Sequence, residues 1–134
     1  MRGWDLSVVS LWQENGAKAV VEVTSTTLDQ ELGGQPVDVL KMDIEGGEPR
    51  ALEGTKGTIA LSPNLVMFVE CNPNALAASG SSAVKLIERL RELGFDVSEI
   101  DEKRHVRRSI SETLLADERV EDPKFSVNLY CTRA

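Results

Sequence analysis

The stretch Val37-Asp38-Val39-Leu40-Lys41-Met42-Asp43-Ile44-Glu45-Gly46-Gly47-Glu48-Pro49 decides the fold: an apolar run stops abruptly in three acids, two glycines and a proline. Val37, Val39, Leu40, Met42 and Ile44 are too continuously apolar for a half-solvated strand, which predicts a strand covered by helices on both faces of a parallel sheet. Asp43 and Glu45 then fall at its carboxyl end, where open α/β sheets bind ligands. Gly46 and Gly47 suit a sharp exit at positive φ, and Pro49 suits the first turn of a following helix.

Upstream, Ala19–Thr27 is rich in β-branched residues and reads as a strand. Leu28–Leu32 reads as a helical turn closed by Gly33-Gly34. The first fifteen residues, with Trp4, Val8, Val9, Leu11 and Trp12, fit a short amphipathic helix ended by Asn15-Gly16. Downstream, a helix from Pro49 to about Leu61 is expected to bury Leu52, Ile59 and one of Ala51 or Thr55, although Gly54 and Gly57 weaken it. Leu65–Val69 is a second apolar strand, ending in Glu70-Cys71-Asn72-Pro73. Ser81 or Ser82 caps the strongest helical pattern, in which Ala83, Leu86, Ile87 and Leu90 recur before Gly94.

Phe95–Ile100 and Phe125–Cys131 alternate as strands do, and between them residues 101–124 form a polar excursion. This order matches two βαβ steps followed by an antiparallel pair, the second half of a doubly wound sheet.

The bulk numbers bound the function. A length of 134 residues allows one domain at most and is short for a complete α/β enzyme with a large cofactor. A net charge of −7 argues against a nucleic-acid footprint. Cys71 and Cys131 lack disulfide-framework spacing, and the sequence shows no signal peptide and no apolar run approaching a membrane span, so reduced thiols in the cytoplasm and no membrane partner are expected. One histidine, His105, makes His-rich metal sites and a Ser-His-Asp triad poor readings.

The string Lys41-Met42-Asp43-Ile44-Glu45-Gly46-Gly47-Glu48, with Leu52-Glu53-Gly54 after it, resembles the central motif of the FkbM family of S-adenosylmethionine-dependent methyltransferases. Thr26-Thr27-Leu28-Asp29 is similar to the family's upstream Thr-Leu-Asp, and Val66-Met67-Phe68-Val69-Glu70 to its next strand. The resemblance implies a Rossmann-like methyltransferase sheet, mostly parallel with an antiparallel terminal strand pair. It implies S-adenosylmethionine as cofactor and a small-molecule or glycan hydroxyl as acceptor.

Neither Gly33-Gly34 nor Gly46-Gly47 offers the glycine-rich spacing of a nucleotide turn. In the family the chain resembles, the glycine-rich half precedes this portion, so the resemblance implies one incomplete domain over residues 1–134, the C-terminal half of such a fold. A separate N-terminal half or a second copy would be its partner.

Asp43 is the leading candidate, as general base or beside the cofactor's sulfonium, with Glu45 facing the same cleft as a second catalytic carboxylate. Its structural alternative is to cap the following turn. Glu48, just ahead of Pro49, suits the positive end of a helix. Glu70 and Asn72 would bind the acceptor if the two strands are neighbours, or serve turn chemistry around Asn72-Pro73-Asn74. Cys71 reads as an inert thiol, Lys103–Arg108 as a solvated basic loop, and Lys41 as a partner for an acid such as Asp38. Three carboxylates within six residues suit a hard cation, but strand alternation separates them, so no metal is assigned. A rival reading is a non-catalytic interaction module that pairs through an exposed sheet edge.

Overall fold

The computed structural model describes residues 6–11, 19–116 and 121–134, with side chains from Thr24 onward. Strand β1 (Leu6–Leu11) pairs antiparallel with β2 (Ala19–Thr24) as a separate two-stranded ribbon. The expected N-terminal helix is thus replaced over Leu6–Leu11 by a strand. Val8 and Val9 favour extended backbone, and β2 supplies the pairing that a lone helical turn would lack. Trp4, Trp12 and Asn15-Gly16 lie outside the described residues.

The main body runs α1 (Leu28–Leu32), β3 (Val39–Met42), α2 (Glu48–Glu53), α3 (Lys56–Leu61), β4 (Val66–Cys71), α4 (Pro73–Ala78), α5 (Ala83–Glu92), β5 (Phe95–Asp101), β6 (Val106–Arg108), α6 (Glu112–Leu115) and β7 (Val127–Arg133). Its five strands lie in the order β3-β4-β7-β5-β6. Among the described residues β3 and β4 alone pair parallel; β4 with β7, β7 with β5 and β5 with β6 are antiparallel.

The sheet is α/β as expected, but it is not mostly parallel. β3, β4 and β5 do share one direction; β7 enters between β4 and β5, so each of those pairs with an opposed neighbour. Phe125–Cys131 is therefore no terminal partner of β5 alone but an interior strand, with Leu129 and Cys131 fully buried.

Position in that order also corrects the reading of the central strand. β3 stands at the sheet's edge, and of its residues only Met42 is buried; Val39 is 64% exposed, and Ile44 beyond its end is 47% exposed. A continuous apolar run predicts two covered faces, and an edge strand does not have them.

One face of the sheet carries the core. Met67, Val69 and Cys71 of β4, Leu129 and Cys131 of β7 and Phe95 of β5 pack with Leu52, Ile59, Leu76, Leu86, Ile87, Leu90 and Leu114 from the helices. Each large side chain buried here contributes about 1.5–3 kcal/mol. Leu114, on α6, shows that the polar excursion of residues 101–124 anchors itself in the core. Both cysteines are free and buried, and burial pushes each thiol up to about 12, which leaves them unreactive near neutrality.

Three local devices depart from expectation. The helix predicted from Pro49 to Leu61 is two helices, because Thr55 Oγ1 bonds the Ala51 carbonyl and Gly54 packs so tightly on Thr27 that a Cβ would lie 3.0 Å from its side chain. Asn72-Pro73 opens α4 rather than a simple turn: Asn72 Oδ1 accepts from Ala75 N at 3.1 Å, with proline in the first helical turn. Arg133, at the end of β7, donates to the carbonyls of Ile59 and Ser62 and lies 4.8 Å over the Phe95 ring, tying the last strand to the C-terminus of α3.

As expected, Ser82 caps α5, its Oγ accepting from Lys85 N. No helix among the described residues is long and apolar enough to cross a membrane.

Candidate active site

The parallel register aligns Met42 with Val69, so Asp43, the first residue past β3, stands beside Glu70, the penultimate residue of β4. Met42 and Val69 point into the core, and strand alternation turns Asp43 and Glu70 to the opposite face. The expected adjacency of the two strands is observed.

The turn that follows β3 adds the third carboxylate. Gly47 N donates to the Ile44 carbonyl at 3.2 Å across Glu45 and Gly46, whose φ angles are +52° and +94°. Two left-handed residues in succession make this a type I′ turn. The expected positive φ thus falls on Glu45 and Gly46; Gly47 has φ −83° and is the N-cap of α2. Gly46 is required, since a Cβ there would meet the Ala75 carbonyl oxygen at 2.4 Å. A left-handed glutamate stores about 1 kcal/mol or more of strain, a cost concentrated at functional sites.

The result is that one carboxylate oxygen each from Asp43, Glu45 and Glu70 lies within 4.8 Å of the others. Asp43 and Glu45 are exposed, whereas Glu70 is partly buried. A hydrogen bond shared with Asp43, then burial, then the charges of Asp43 and Glu45, outweigh a hydrogen bond with Ser126 and push the Glu70 carboxyl up to about 7. Glu70 can therefore hold a proton nearer neutrality than an ordinary carboxyl does. The trio is also spaced as oxygen ligands of a hard cation are.

Glu48 stands apart. It is 1% exposed at the start of α2, and its Oε1 accepts from Ile44 N at 3.1 Å, so it braces the acidic turn from beneath. Asn72 is buried with Oδ1 committed to capping α4, which leaves its amide N–H groups as what it can offer a ligand. Lys41, expected to pair with an acid such as Asp38, makes no ion pair among the described residues.

Beside the trio opens a cleft of about 840 Å³ between the loop before α1, the exit of β3 and α2, bordered by Thr26, Thr27, Lys41, Asp43, Gly47 and Arg50. Its wall is held by Asp29. The carboxylate takes hydrogen bonds from Thr58 N (2.7 Å), Thr58 Oγ1 (2.8 Å) and Gly57 N (3.0 Å), and Asp29 N donates to the Gly54 carbonyl at 3.0 Å.

Asp29 therefore caps α3 from a distant segment, a task its own N-cap Thr55 does not perform with its side chain. In the sequence Asp29 stands out only as the end of the Thr26-Thr27-Leu28-Asp29 string, with no such role implied. Nothing local signals a bond across 28 residues, although Gly57-Thr58 after a helix break is the kind of open N-terminus that needs such a partner.

Comparison with known proteins adds one match. The family model described as Methyltransferase FkbM domain matches residues 7–97, a span that holds β2 to α5, Asp29 and all three carboxylates of the trio. No curated protein and no solved structure matches the chain. With its signature string placed on a β3 exit of this geometry, the chain belongs to the FkbM methyltransferase domain family.

Proposed function

We propose that the acidic edge is the proton-accepting side of a methyl-transfer site, with S-adenosylmethionine as donor and a hydroxyl of a small molecule or glycan as acceptor. The observation that carries this reading is the convergence of Asp43, Glu45 and Glu70 at the ends of two parallel strands, in a family of methyltransferases. When bound, S-adenosylmethionine supplies a methyl group on a positively charged sulfur.

The residues present suit the cationic end of that molecule, since Asp43 is an exposed acid bordering the cleft and Glu45 is an exposed acid beside it. They do not build its nucleoside end from the Gly46-Gly47 turn, because Gly46 is closed off by the Ala75 carbonyl. Glu70 takes the acceptor's hydroxyl proton in its ionised form, and Asp43 shares it. A base that titrates near 7 is both substantially ionised and basic enough at neutral pH. Asn72 offers amide donors to the acceptor, and Thr26 and Thr27 line the adjoining wall.

Calorimetric titration with S-adenosylhomocysteine is the first test, followed by methyl transfer to hydroxyl acceptors by the wild type and by Asp43→Asn. Saturable binding, with turnover reduced by about 10²–10⁴-fold in the variant, supports the reading. Turnover undiminished in Asp43→Asn refutes the assignment.

A second reading rests on β3, the edge strand among the described residues, where Val39 and, just past its end, Ile44 are exposed. There the chain would add a strand from a separate N-terminal half or from a second copy. Concentration-dependent association without nucleoside binding favours it.

A further inference from the structure

Among the described residues β6 pairs with Glu99–Asp101 alone, so the first part of β5 has β7 on one side and, on the other, a cleft of about 550 Å³ where the chain turns away through Ser109. Three guanidinium groups border it: Arg91 from the last turn of α5, and Arg107 and Arg108 from β6. They are not equivalent. Arg108 is committed to the fold, donating to the buried Glu99 at 2.7 Å and to Asp101 at 3.1 Å.

Arg107 Cζ lies 5.3 Å from the centre of the Tyr130 ring, a cation–π contact that uses none of its N–H donors. Among the described residues neither Arg91 nor Arg107 has an ion-pair partner. Asp96 is the acid on the rim, so two uncommitted guanidiniums against one carboxylate leave this spot positive on a chain whose net charge is −7.

Ser109 and Thr132 add hydroxyl donors, while the Ser98 hydroxyl is already directed to the Tyr130 carbonyl. Placement at a helix C-terminus accounts for Arg91 by itself but not for Arg107. A cleft lined by planar forks and hydroxyls matches a tetrahedral oxyanion better than any apolar or cationic group. Arg107, Arg108, Ser109 and Thr132 also lie beyond residues 7–97, so this cleft is a feature of the chain outside the span the family model matches.

We propose that the cleft at the edge of β5 binds a ligand through a phosphate or sulfate group. The proposal is independent of the methyl-transfer reading. Its test is titration of the full chain with inorganic phosphate and with inorganic sulfate at constant ionic strength, followed by amide chemical shifts.

Saturable shifts at Ser98, Ser109 and Thr132 are expected, weakened about tenfold in each of Arg91→Gln and Arg107→Gln and unchanged in Lys85→Gln, which removes a charge from the same helix outside the cleft. Arg107→Lys, which keeps the charge but loses the fork, should fall between. Affinity for phosphate that rises with pH while that for sulfate does not assigns the site to a phosphate ester; equal, pH-independent affinity assigns it to a sulfate. Non-saturable shifts, or equal weakening by Lys85→Gln in variants that melt with the wild type, would overturn the proposal.

Discussion

Replacing Asp29 with alanine removes three hydrogen bonds from the start of α3 at once, and the structure grades their worth. Gly57 N is exposed, so water replaces the lost acceptor there at little cost. Thr58 is 3% exposed, and both its N–H and its hydroxyl lose their shared partner Oδ1. Hydrogen bonds to a charged acceptor are worth about 1.5–3 kcal/mol each, and the two at Thr58 share one oxygen, so the total is on the order of 3 kcal/mol.

Asp29→Asn keeps one carbonyl oxygen in place but loses the charge, and should cost about half as much. Urea unfolding followed by circular dichroism at pH 7 measures both. The pH dependence adds a sign. Burial raises the Asp29 carboxyl, but the bonds from Thr58 and Gly57 outweigh it and hold the group below its ordinary 3.8. Its contribution is therefore complete above 3.8 and is lost as pH falls through the folded value, so the gap between wild type and Asp29→Ala should close in acid. A cost under about 1 kcal/mol for alanine, or an asparagine variant as unstable as alanine, would refute the claim that this carboxylate holds α3.

Glu70 should act in the opposite sense: its carboxyl lies at about 7 in the fold against 4.5 unfolded, so its contribution is full below 4.5 and disappears as pH rises through 7. Discounted for its partial exposure, the loss is on the order of 2 kcal/mol, and Glu70→Gln should abolish that slope in denaturation curves taken from pH 5 to 7.5. Parallel slopes for the two proteins would show that Glu70 does not hold the proton. Gly46→Ala, forced to φ +94° with a Cβ 2.4 Å from the Ala75 carbonyl, should lower stability by about 2–4 kcal/mol; a variant within about 0.5 kcal/mol of wild type would mean that the turn relaxes freely.

What the sequence revealed follows the range of the interactions involved. β4, β5, β7 and the Ser82-capped α5 are written in their own residues, as alternation, caps and glycine stops, and they appear where expected. The insertion of β7 between β4 and β5 has no local signature, because its flanking partners are chosen by packing between segments far apart in the chain. Asp29 reaching Thr58 is hidden for the same reason. The start of α4 was open to a closer reading, since asparagine followed by proline is a helix N-cap signal as well as a turn signal.

Sheet order, in turn, sets the chemistry of the acidic edge. Because β7 flanks β4 on the side away from β3, β4 is an interior strand while β3 is an edge. Two carboxylates in matching positions consequently meet different surroundings: Asp43 leaves the edge strand exposed, whereas Glu70 leaves the interior strand partly covered, near Ser126 just ahead of β7. The shared bond and burial both disfavour the charged form of Glu70 and raise its carboxyl. The difference between the two acids thus arises from the strand order, in which a late segment of the chain enters the middle of the sheet.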